Sequence, residues 1–236
     1  MFNSLFFFGC LSLRHDPLFQ KFRLVSHVLT IQFYFADADK VQALESYIDD
    51  ALTPVLGEAE EHDEEDESED EQVDGRDLTE IINTEHENVK YLPGIKFTDN
   101  VIAAPDLPEA VKDATLLIFV LPHQFLGRIC PQMTTMAKGC RAISLIKGIE
   151  FEESGPILIS NMIKEAMGGM DISVLMGANV ANEVAKDDFC ESTVGFADKK
   201  NGEVWQELFN YKTFQVGKIN DVAGVELCGA LKNVVA

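Results

Sequence analysis

The stretch that decides the fold is residues 114–122, ATLLIFVLP. It is an unbroken apolar run closed by a proline, with no polar alternation to give it a wet face. A run of this length reads as a β-strand buried on both sides. Two similar runs follow, RAISLIKG at 141–148 and ISVLMGAN at 172–179. Between the first pair, QFLGRICPQMTTM reads as a helix that Pro131 interrupts, because proline lacks the N–H and clashes with the preceding turn. Between the second pair, PILISNMIKEAMGG reads as a helix stopped by Gly168 and Gly169. Further on, CESTVGFA and YKTFQV read as strands around a short helix, GEVWQELFN. Strand and helix alternating at this spacing predict an α/β fold with a doubly wound, mostly parallel sheet.

In open parallel sheets, ligands bind at the carboxyl ends of the strands. The first run ends in Pro122, His123, Gln124 and Phe125, the second in Lys147 and Gly148, the third in Gly177, Ala178 and Asn179. Each group could equally be an ordinary loop, but three on one inferred edge point to a site. Lys147 closes an apolar strand, where its ammonium is partly desolvated unless it faces a cleft. Lysine pairs with phosphate or polarises a carbonyl. Lys232 stands in a second apolar stretch, DVAGVELCGALKNVVA, which reads as the start of a further, helical unit near Asp221. From the residues alone, snorkelling of its stem is the simpler account. Asn179 and Asn233 are amides able to donate and accept. His123 could act as an acid or base, but reads more simply as a structural cap at the start of its helix. No HExxH, GxSxG or P-loop occurs. No GxGxxG turn occurs anywhere in the chain either.

The 236 residues carry a formal charge of −21, which argues against nucleic-acid binding, since a polyanion repels phosphate backbones. Residues 58–74 hold 12 acids and no Lys or Arg, so one run supplies more than half of that charge. It reads as a solvated, disordered linker, or alternatively as a segment that binds a basic partner. Upstream, RLVSHVLTIQFYF reads as a strand and DKVQALESYIDDALTPVL as a helix. Five widely spaced cysteines without a CxxC suit a reducing compartment, and Cys130 and Cys190 read as core residues. No apolar run is long enough to span a membrane, and MFNSLFFFGCLSL lacks the basic start and small-residue cleavage site of a secretory signal. No membrane is expected. The division is therefore 1–74, an atypical N-terminal region; 75–220, the α/β domain; and 221–236, the start of a helical domain.

Six blocks in order carry a family resemblance: LTEIINTEHENVKYLPG, LIFVLPHQF, ISLIKGIE, VLMGANVANEVA, FCESTVG and CGALKNVVA. Together they resemble the eukaryotic cytosolic NAD-dependent glycerol-3-phosphate dehydrogenases, over about residues 74–236. The resemblance implies a Rossmann-like domain that binds NAD, followed by an all-α C-terminal domain. It implies interconversion of dihydroxyacetone phosphate and sn-glycerol 3-phosphate in the cytoplasm by a homodimer. It also implies roles: Lys232 catalytic, Lys147, Asn179 and Asn233 at the substrate, and Phe125 and Ala181 at the cofactor. Reducing a ketone builds negative charge on its oxygen, and a cationic donor aimed there stabilises the charge and delivers the proton. On this reading Lys232 lies in an apolar helix because that helix walls the cleft.

The chain also departs from the family. The usual first βα unit with its Gly-rich turn is missing, and the family's arginine–asparagine grip on the substrate phosphate would fall beyond Ala236. The chain therefore reads as incomplete at both ends, is expected to bind NAD poorly and turn over little, and is expected to expose apolar surface. Two other readings are a non-catalytic interaction protein that uses the acidic segment, and a form held at a membrane by the Phe-rich start.

Overall fold

The structure is a computed structural model that describes residues 9–10, 22–24, 72–97, 99, 101–152, 155–179, 184 and 188–235. Its main sheet has six strands: β1 Gly9–Cys10, β2 Leu116–Val120, β3 Arg141–Ser144, β4 Ile172–Ala178, β5 Cys190–Gly195 and β6 Phe214–Ile219. They stand side by side in chain order. The three apolar runs form the parallel centre, β2–β3–β4, with Ile118 beside Ile143 and Ser144 beside Val174. β6 is parallel to β5, while β5 runs antiparallel to β4, with Met176 opposite Thr193. The expected pattern of crossovers fails there for a physical reason. A parallel return needs a crossover of a dozen or more residues, and only 179–189 separate the two strands. β1 also pairs antiparallel, with Gly9 beside Val120.

Helices cover both faces, as the double winding requires. Helices α1 Leu78–Glu85 and α5 Lys199–Phe209 lie on one side, where Ile118, Val120, Ile143, Leu175, Trp205 and Phe214 share a buried cluster. Helices α2 Leu107–Ala110, α3 Leu126–Ile129 and α4 Ile159–Ala166 lie on the other, with Leu117, Phe119, Ala142, Ile146, Ile163 and Ile172. Alternate residues of β2 thus enter opposite cores, which is why the strand itself has no polar residue.

Local chemistry explains most element boundaries. Pro131 leaves α3 one turn long, between 3-10 turns at His123–Phe125 and Cys130–Gln132. Asp198 caps α5, its carboxylate accepting from the N–H groups of Lys200 and Asn201. Gly168 and Gly169 end the segment after α4 with φ of 67° and 90°, as expected. The helix itself starts later than the sequence suggests. Gly155–Leu158 is a strand, paired with Ile149–Glu152 in a hairpin, and Pro156 sits on that two-stranded edge. At the amino-terminal edge of the sheet, Arg141 donates to Asn201 at 2.7 Å and Asn201 donates to Asp171 at 2.6 Å, tying β3, β4 and α5 together.

The helix and most of the strand expected within 1–74, and the acidic run as far as 71, lie outside the described residues. Of that region Phe22–Leu24 is a strand paired with Val101–Ala103, and Gln72–Val73 pairs with Arg76–Asp77. The expected apolar exposure is present among the described residues at Phe151, Phe189, Ile219, Leu227 and Leu231.

Two outcomes follow from this packing. Burial pushes the Cys130 thiol up to about 11 and the Cys140 thiol up to about 12, and Cys190 is buried, whereas Cys228 is exposed. Alkylation of the native protein at pH 8, read by peptide mass spectrometry, should therefore mark Cys228 and spare Cys130, Cys140 and Cys190. In α5, a Cβ at Gly202 would stand 2.4 Å from a ring carbon of Phe196. Helix propensity favours alanine there by about 1 kcal/mol, but overpacking costs about 1–3 kcal/mol. Gly202→Ala should lower the urea midpoint, followed through the single, buried Trp205; a higher midpoint would contradict this packing.

Candidate active site at the carboxyl ends of the strands

Parallel pairing of β2, β3 and β4 brings their carboxyl ends to one edge. Two polar groups, Lys147 and Asn179, meet there because β3 and β4 stop within a few residues of each other. Lys147 follows β3 and is half-buried; its Nζ donates to Asn179 Oδ1 at 3.0 Å. Asn179 follows β4 and is buried at 5% exposure. The Asn179 amide oxygen is thus one partner of the ammonium and helps to orient it. Lysine is a compact cation that pairs with phosphate or polarises a carbonyl.

Phe125, after β2, is half-buried against the second core cluster, and the Arg128 guanidinium lies 5.5 Å from its ring centre. His123 does not cap its turn. Its Nε2 lies 2.9 Å from Glu150 Oε2, on the hairpin that follows Lys147 and Gly148. A Cβ on Gly148 would be 3.7 Å from His123 Nδ1, so the end of β3 backs onto the end of β2. Glu150 was not legible as a site residue, because a surface acid in a loop carries no signal of its partner.

Helix α6, Val222–Val235, starts at Asp221, whose side chain accepts from Gly224 N–H at 2.8 Å. It packs along β4 and β5. A Cβ at Gly195 would lie 2.9 Å from Val174 and 3.0 Å from Val225, and a Cβ at Gly229 would lie 2.6 Å from Met176 Sδ. So α6 advances from Val174 to Met176 as it runs from 225 to 229, towards the carboxyl end of β4. A helix rises about 1.5 Å per residue and a strand about 3.3 Å. Three residues past Gly229, Lys232 stands level with Gly177 and Ala178, with its side chain exposed. The helix therefore reaches the edge that holds Lys147 and Asn179. Asn233 is the next residue of α6. Ala181 lies outside the described residues.

One further site feature was missed by sequence reasoning. Glu226, in the same helix, is 0% exposed and accepts from the N–H of Ser160 at 3.0 Å and from its hydroxyl. Burial raises its carboxyl above the ordinary range, while donors from Ser160 and Ile159 pull it back. The available signal was a lone acid in an apolar helix, the same kind of signal that Lys232 gave.

Comparison with known proteins bears on this edge. Residues 64–202 match the model of the NAD-dependent glycerol-3-phosphate dehydrogenase N-terminus. The glycerol-3-phosphate dehydrogenase 1-like protein of Xenopus tropicalis is 54% identical over 167 residues, 70% of this chain and 47% of that protein. The cytoplasmic, NAD(+)-linked glycerol-3-phosphate dehydrogenase of Homo sapiens is 52% identical over 167 residues, 70% of this chain and 48% of its own. The chain spans about half the length of the curated relatives it matches. Among solved structures, the Saccharomyces cerevisiae glycerol-3-phosphate dehydrogenase superposes with a TM-score of 0.67 at 35% identity, over 91% of this chain and 60% of that one. The Dunaliella salina enzyme gives 0.68 at 37% identity, over 92% of this chain and 36% of that one. The family match begins ten residues before Asp74, inside the acidic run. With more than half of its residues matched to that model, the chain belongs to the NAD-dependent glycerol-3-phosphate dehydrogenase family.

Proposed function

We propose that this chain supplies the nicotinamide-side cleft and the proton donor for interconverting dihydroxyacetone phosphate and sn-glycerol 3-phosphate. The observation that carries the reading is the Lys147–Asn179 bond at adjoining strand ends, with the helix bearing Lys232 running to the same level. The donor set fits the cofactor and substrate chemically: Phe125 offers a flat apolar surface, Asn179 an amide, and the two lysines cationic donors. Bound NAD would supply or accept the hydride.

The protein's part is charge and position. Lys232 donates a hydrogen bond to the substrate oxygen and passes it a proton as that oxygen gains negative charge. Lys147, oriented by Asn179, holds the substrate's anionic end. Asn233 and Ala181 belong to the same substrate and cofactor contacts by resemblance. Homodimerisation, a cytoplasmic location and the absence of nucleic-acid partners are parts of this reading, resting on the resemblance and on the net charge.

No GxGxxG turn occurs in these 236 residues, so the pyrophosphate lacks the close backbone approach that such a turn allows. NADH should bind saturably but weakly, measured by its fluorescence. Its oxidation should be slow and should require dihydroxyacetone phosphate. Lys232→Ala should reduce that rate by about 10²–10³-fold with little change in NADH affinity. Absence of saturable NADH binding, or a rate indifferent to Lys232→Ala, would contradict the proposal and favour the interaction-protein reading.

A further inference from the structure

Helix α4 begins without a cap of its own: Leu158 at its N-cap offers no side-chain bond. The first N–H groups of a helix have no intrahelical acceptor and carry partial positive charge. Here the acceptor comes from a helix 66 residues away. Glu226 Oε1 takes the Ser160 N–H at 3.0 Å and Oε2 takes the Ser160 hydroxyl. No Lys or Arg pairs with Glu226 among the described residues. Its charge is compensated by the helix end and these donors. A buried carboxylate tolerates little movement, because losing its donors leaves it desolvated and unpaired.

We propose that Glu226 is the positioning residue for Lys232: by capping α4 from α6, it fixes how far and in what rotation α6 lies along the sheet. This rests on the reading of Lys232 as the proton donor. The two residues are six positions apart in one helix, about 9 Å along its axis. A one-residue slide of α6 would shift Lys232 by about 1.5 Å and turn it by about 100°, away from the edge that holds Lys147. Gly229 and Gly195 let the helix approach β4 and β5, but small residues permit closeness without setting a register. The carboxylate supplies that register. Helix α4 is itself joined through the Ile149–Leu158 hairpin to Lys147, so the cap links the chain segments carrying both lysines.

The test uses the full 236-residue chain and a short amine-to-amine crosslinker, difluorodinitrobenzene, read by peptide mass spectrometry well below the melting temperature. The parent chain should yield a Lys147–Lys232 crosslink. Glu226→Gln turns an acceptor into an amide donor facing other donors, and should cut that yield several-fold. Ser160→Ala removes one donor and should cut it less. Any turnover with dihydroxyacetone phosphate should fall by about 10–100-fold in Glu226→Gln while NADH affinity holds. Gly202→Ala, which loosens the far face, should lower stability and leave the yield unchanged. If Glu226→Gln fails to melt cooperatively, Ser160→Ala carries the test. An undiminished crosslink in folded Glu226→Gln and Ser160→Ala overturns the positioning role alone. Absence of the crosslink in the parent overturns both this role and the assignment of Lys232.

Discussion

The close seating of α6 on the sheet is the constraint on which the site depends. Side chains at Gly195 and Gly229 would collide with Val174, Val225 and Met176, so the helix reaches its depth only because both positions lack a Cβ. A helix lifted by one methyl group would carry Lys232 away from the strand ends. Substituting either glycine would force neighbouring atoms to move, and tightly packed interiors yield little. The sheet, in turn, must present β3 and β4 in parallel, or Lys147 and Asn179 would lie at opposite edges.

Polar groups at the two edges of the sheet do different work. At the amino-terminal edge, Arg141, Asn201 and Asp171 satisfy one another in a chain of bonds between elements, and that chain holds strands to a helix. At the carboxyl edge, Lys147 has a neutral amide partner, and Lys232 is exposed at the level where the strand ends. Charge that is matched inside the protein stabilises the fold. A lysine held at a strand end is placed to act on a bound anion or a polarised oxygen.

Much of this was legible in the sequence, and the reasons differ by element. The three apolar runs showed the parallel centre because burial on both faces removes polar residues from a strand. Pro131 and the Gly168–Gly169 pair marked breaks because their backbone restrictions act locally. The direction of β5, CESTVG, is not carried by its own residues, and only the short 179–189 connection tells against a parallel return. The hairpin at Ile149–Leu158 was missed because PILIS carries no turn signal separating strand from helix. His123 seemed a cap because its neighbour Glu150 is remote in pattern though near in space. Glu226 was hidden for the same reason: its partner, Ser160, is 66 residues away. The proposed role of Lys232 comes from the family resemblance, since an isolated lysine in an apolar helix is more simply a snorkelling residue.

The account stands or falls on whether Lys232 shares a ligand with Lys147. The most direct measurement is NMR of isotope-labelled lysine side chains in the full chain, titrated with NADH and then dihydroxyacetone phosphate. Signals are assigned with Lys147→Arg and Lys232→Arg. The account predicts that both lysine signals shift saturably on the same binding curve. A Lys232 signal that stays put while NADH and dihydroxyacetone phosphate saturate the protein would contradict it.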